Sequence, residues 1–282
     1  MLKDLKELFW MIKWRIEMRI IRLGWYLYTL LVPKRLKFLF DDDDDEDYGA
    51  KFFGKLATSV PVLFVLYMWF RSYTPFGLWE FWHMPENWVN LFQRYWMLFA
   101  WGVIIQSIVS FTGYNSPQEN DNAERFLIKG FLKSAFAGVT EEISYRWLFF
   151  LSAIPGVRIA NWFFFGFAGF GISEWFFLHV VGPIASIFSL HWMDAIFFHS
   201  AGWFVGAALV STNAFFRDGH KYQGITGLVN SWYGGLVLFH VAINHGLPAA
   251  IVLHTSFNVT VHLVAYVDML IERTFLGRTR SY

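Results

Sequence analysis

The sequence predicts an all-α, polytopic integral membrane protein, a helical bundle of seven to eight transmembrane helices, and three observations predict it. Its 282 residues are 56% hydrophobic and only 16% charged, whereas a soluble domain carries roughly 25% charged residues. A soluble fold would have to hide 33 Phe, 15 Trp and 12 Tyr behind 23 basic and 22 acidic side chains, and apolar patches would remain on its surface. Charge-free windows also recur at the length a spanning helix needs, about 20 apolar residues.

From the N-terminus, Leu5, Leu8, Phe9, Ile12, Ile16, Ile20 and Leu23 recur at helical spacing with basic residues elsewhere on the wheel, the pattern of an interfacial helix or of a simple topology signal. Either reading makes 1–40 a basic amphipathic segment with a cytoplasmic start, since 11 of the 23 Lys and Arg lie within the first 55 residues. No cleavable signal peptide is expected, because Lys3, Lys6, Lys13, Arg15, Arg19 and Arg22 interrupt the apolar run. Asp41 to Asp47, broken only by Glu46, is a like-charge block read as a solvated linker over 41–50. It lacks the spaced ligands and turn glycine of a calcium loop.

No Asp, Glu, Lys or Arg occurs between Arg94 and Glu119, and none in the 46 residues between Lys221 and Asp268. Residues 159–216 carry only Glu174 and Asp194. The expected spans are 56–74, 92–113, 126–153, 159–181, 184–211, 225–243 and 247–271, with a polar loop at 212–224 and a turn at Asn244, Gly246 and Pro248. The first helices occupy 51–125, a membrane core 126–275 and a tail 276–282. Seven spans would leave Arg273, Arg278 and Arg280 outside, so charge bias favours an eighth. Cysteine is absent, which excludes disulfides, thiolate catalysis and Cys-ligated zinc.

Ionisable side chains in a bilayer cost about 2.5–3.5 kcal/mol each, so a cluster of them needs a reason. Glu141, Glu142 and Arg146 form one, between the apolar runs 134–139 and 147–155. Glu142 and Arg146 are four apart and can neutralise one another, while Glu141 lies about 100° round the helix. A purely structural ion-pair network is the plain alternative. A second, unpaired carboxylate exceeds what such a network requires and has the character of a base with electrostatic support. Downstream, His254 and Asn258 share a face of an otherwise apolar helix, where two polar groups can meet a developing oxyanion.

Glu141 to Arg146 read EExxxR and His254 to Asn258 read HxxxN, with histidines between them. Over roughly 126–271 the chain resembles the CPBP family, also called Abi, of intramembrane proteases, which includes the type II CAAX prenyl proteases. The resemblance implies an endopeptidase without a covalent intermediate. Glu141 would be the base that activates water, a middle-motif histidine would help hold that water, His254 and Asn258 would form the oxyanion hole, and Glu142 and Arg146 would order the site.

The family's middle motif is FxxxH. His199, with Ala195 four residues before it and Phe197 and Phe198 adjacent, is the preferred candidate, because one span, a polar loop and a second span fit between it and His254. His179, with Trp175 at that offset, competes. Family members are described both as metalloproteases and as glutamate-dependent enzymes. A zinc site from Glu141, His199 and His254 is chemically acceptable, and the same residues suffice for metal-free hydrolysis, the preferred reading. HExxH is absent. The expected partners are the lipid bilayer and a peptide or protein substrate, a prenylated C-terminal peptide among the candidates. No nucleic-acid partner is expected. The alternative function is a transporter or proton-relay protein that uses the same buried groups. Histidine pairs of di-iron oxidases, GxSxG and a presenilin-type Gly-Asp motif are all missing.

Overall fold

The structure is a computed structural model that describes residues 67–112 and 123–271 throughout, with single positions between 7 and 23, between 61 and 65, and at 273 and 274. The acidic run, the proposed tail and most of the basic N-terminal segment lie outside the described residues. The chain divides into two compact units, Met1–Trp69 and Phe70–Tyr282. In the first, the described positions are helical, and Trp10 and Trp14, four apart, are both exposed.

The second unit is helical, with no strand among the described residues. An irregular segment over 74–87 leads to α1 (Trp88–Arg94) and α2 (Trp96–Thr112). Then come α3 (Ala123–Glu141), a π-helical stretch (Glu142–Phe149) and α4 (Phe150–Phe163) without a break. After a turn follow α5 (Ile172–Phe176), a second π-helical stretch (Phe177–Val181) and α6 (Gly182–Phe188). The chain closes with α7 (Asp194–Phe197), α8 (Trp203–Asp218), α9 (Gly224–His245) and α10 (Leu247–Ile271).

By length and composition one described helix, α10, is long and apolar enough to cross a membrane, and α1 with α2, bent by 49°, makes a second if the pair counts as one span. The other expected windows do not reach that length and hydropathy among the described residues, and most of the window at 56–74 lies outside them. The window at 159–181 is interrupted by the turn after Phe163, and that at 184–211 by an irregular stretch between α6 and α8. α9 has 22 residues and no charge, but its glycines, Asn230, Ser231 and Asn244 dilute its hydropathy. The polar loop is also shorter than 212–224. α8 runs on to Asp218, and within it Ser211 and Thr212 donate to the Ala207 and Ala208 carbonyls, so their hydroxyls are satisfied inside the helix.

α10 packs between α3 and α2, and α8 packs against α4 and α9. Leu91, Leu98, Leu238, Val241, Ala250 and Leu253 form the core where α1, α2, α9 and α10 meet. The α3–α10 contact rests on small residues one turn apart, Gly130, Ser134 and Gly138, which let two backbones approach closely. A Cβ on Gly130 would stand 1.8 Å from His262 Nε2. That spacing of four continues to Glu142 and Arg146, so the face that grips α10 is also the face that carries this ion pair.

The turn between α9 and α10 falls at Gly246, whose φ of 92° suits glycine. Here Leu247 N donates to Phe81 O at 2.6 Å, and a Cβ on Gly246 would stand 1.9 Å from His83 O. The segment over 74–87 thus passes beneath the turn. It also accepts a hydrogen bond from Trp147 Nε1 at Leu78 O, and sets Phe76 and Phe81 against Phe150.

Candidate active site

The π-helical stretch begins at Glu142, and such insertions, which widen one turn of a helix, recur at functional sites. Glu142 and Arg146 are 0% and 1% exposed, with Arg146 Nη1 3.1 Å from Glu142 Oε1. The guanidinium also lies 3.9 Å over the Phe216 ring and 5.3 Å from that of Phe239. Arg146 Nε and both Nη atoms, Glu142 Oε2 and Asn213 Oδ1 are buried without a hydrogen-bond partner among the described residues. The Arg146–Glu142 contact is therefore one of charge and not a directed hydrogen bond.

His254 comes to this pair from α10. Its Nδ1 is 2.7 Å from Glu142 Oε1, a hydrogen bond buried on both sides. A carboxylate only accepts, so the bond places the proton on Nδ1 and turns Nε2 outward. Glu141 is a fifth exposed at the side chain, and its Oε2 lies 3.8 Å from His254 Nε2. The same oxygen lies 4.0 Å from Nε2 of His220. His220 Nδ1 donates to Phe216 O at 2.8 Å, so this ring too presents Nε2 to the carboxylate. Separations of that size are long for a direct hydrogen bond and suit one bridging molecule.

The structure brings Glu141, Glu142, Arg146 and His254 together. It does not bring His199 there: that ring packs 5.6 Å from Phe76, its Nδ1 accepts from Ala201 N, and no carboxylate among the described residues lies within 4.0 Å of it. The short helix α7 and the turn after it leave His199 against the 74–87 segment. His179 stacks on Trp175 and bonds its carbonyl. Asn258 is half-buried one turn beyond His254 and has no hydrogen-bond partner among the described residues.

The histidine that the structure places beside Glu141, besides His254, is His220. The signal for it lies in the sequence, since Phe216 and His220 have the FxxxH spacing. Arg217, Asp218 and Lys221 around it mark a polar loop, and that hid a motif which straddles a helix end. At the end of α8 Lys221 and Arg217 both bond Asp218 and hold its carboxyl below the usual carboxylate value.

The zinc set of Glu141, His199 and His254 does not assemble, because His199 stands elsewhere. Among the described residues no group of three or more His, Asp or Glu side chains is arranged to hold a metal ion. Comparison of the chain with protein-family models, with curated proteins and with solved structures finds no match.

Proposed function

We propose that this chain is a multi-pass membrane endopeptidase of the CPBP type that hydrolyses peptide bonds with a glutamate-activated water. The observation that carries the reading is the position of Glu141 Oε2, opposite Nε2 of both His254 and His220 at 3.8 and 4.0 Å. The charge-free windows and the α10 span support its placement in lipid.

A water between these groups donates one proton towards Glu141 and the other to an imidazole Nε2, which leaves an oxygen lone pair for a substrate carbonyl. As that oxygen attacks, Glu141 takes the proton. It returns it to the departing amine when the tetrahedral intermediate collapses. Glu142, neutralised by Arg146, fixes the tautomer and the direction of His254, as a buried carboxylate does for a catalytic imidazole. The Asn258 amide is the neutral donor for the oxyanion.

The test uses the purified chain in phosphatidylcholine vesicles with fluorogenic peptides, prenylated and unprenylated. The wild type cleaves a subset of them. Glu141→Ala and His254→Ala insert normally and cleave none. Full cleavage by either variant defeats the mechanism, and loss of wild-type cleavage with a chelator, restored by zinc, replaces it with a metal-dependent one.

A further inference from the structure

The chain between α4 and α6 forms a hairpin of unusual composition. Phe163, Phe164, Phe165, Phe167 and Phe170 are 56–69% exposed, flanked by Trp162 at 55% and Trp175 at 58%. Glu174 is the one charged residue from 159 to 188. The turn itself is built in the left-handed region, with φ of 61° at Phe165, 80° at Gly169 and 56° at Gly171. Asn161 packs beneath it, where a Cβ on Gly166 would stand 2.5 Å from its Nδ2.

The geometry points to a hairpin, residues 162–176, that inserts into the acyl-chain region of the bilayer and turns back without crossing it. Its exposure is not confined to one face. Trp162 to Phe165 are four consecutive exposed large side chains: Trp162 and Phe163 end α4 about 100° apart, and Phe164 and Phe165 carry the exposed run on through backbone that has left the helix. A second copy of the chain or another protein would cover one side and leave the others in water, whereas lipid surrounds the hairpin and leaves no aromatic ring hydrated. Backbone at membrane depth must be hydrogen-bonded internally. The turn meets much of that demand: Phe164 N donates to Ala160 O, Ala168 N to Phe165 O, Gly169 N to Gly166 O and Trp175 N to Gly171 O. Tryptophan on each limb suits the headgroup boundary and the phenylalanine tip the hydrocarbon.

Length favours a hairpin that turns back over one that crosses. The return limb, Ile172–Phe188, has 17 residues. Such a helix rises about 25 Å, short of the roughly 30 Å hydrocarbon core. The inference rests on the chain lying in a bilayer and on nothing in the catalytic reading.

The absence of native cysteine allows single labels to test it. A nitroxide is attached at Phe167→Cys, and in a second variant at Phe170→Cys, with Leu263→Cys on the exposed face of α10 as reference, all in phosphatidylcholine vesicles. Dissolved oxygen concentrates among acyl chains and a polar nickel chelate stays in water, so oxygen should relax the tip labels about threefold or more above nickel. Dominance of nickel at the tip while Leu263 remains oxygen-dominated puts the hairpin in water and overturns the proposal. Low accessibility to both reagents means burial against protein and overturns it equally. Nickel dominance at Leu263 as well removes the membrane placement itself, whatever the peptide assay shows.

Discussion

Gly138 of α3 and Thr255 of α10 meet so closely that a Cβ on the glycine would stand 2.2 Å from Thr255 Oγ1 and 3.0 Å from the Thr255 backbone nitrogen. The neighbour cannot yield, because part of the obstruction is backbone. One turn further along α3, and one residue before Thr255 on α10, Glu142 and His254 form their hydrogen bond, so this contact sets the separation at which acid and imidazole meet. Gly138→Val should lower stability by about 1–3 kcal/mol through overpacking and abolish peptide cleavage. Gly156→Ala, inside α4 with open space around it, should keep cleavage and raise stability by about 0.5–1 kcal/mol. Thermal unfolding in detergent reads the difference, and a Gly138→Val protein of wild-type stability would remove this account of the helix pair.

The adjacent glutamates should fail differently. Glu142 is wholly buried against Arg146 and His254, and removal of one partner of a buried pair costs about 3–5 kcal/mol. Glu142→Ala should therefore unfold at markedly lower denaturant. Glu141→Gln, at a partly exposed side chain, should stay within about 0.5 kcal/mol of wild type while losing cleavage. Equal stability loss in the two variants would contradict the division of labour.

Between the two histidines, His220→Ala should reduce the cleavage rate by roughly 10², the low end of the range for acid–base catalysis, because this ring orients the water without taking its proton. His199→Ala, packed against Phe76, should keep the rate. Initial-rate assays in vesicles separate them, and the reverse pattern would return the middle position to His199.

Asn213 and Gly235 share one space behind Arg146. A Cβ on Gly235 would lie 2.1 Å from Asn213 Oδ1 and 3.2 Å from Arg146 Nη2. Gly235→Ala should destabilise by about 1–3 kcal/mol, and Asn213→Ala in the same chain should recover part of that loss. A double-mutant cycle with no coupling between the two would show that the clash is relieved elsewhere.

The pairing of Glu142 with Arg146 was legible in the sequence because four residues return a helix to the same side, and it survives the π-helical widening that no spacing announced. The α9 and α10 bounds, 224–245 and 247–271, fall close to the expected 225–243 and 247–271, since Gly246 can take a φ that breaks a helix. The hairpin at 162–176 was not legible, because an aromatic run reads the same whether it crosses, returns or packs. His220 is hidden for the opposite reason: its neighbours are charged, and a charged run reads as a loop apart from the site.

By itself the sequence determined a composition of 56% hydrophobic and 16% charged residues, a helical periodicity, and a carboxylate pair and an arginine on one helical repeat. Those follow from composition and from short-range periodicity, which the backbone obeys wherever the helix goes. Only tertiary structure decided which histidine faces Glu141, because His220 and His254 are 34 positions apart and their meeting depends on how closely glycines let α3 approach α10 and on where the polar end of α8 stops.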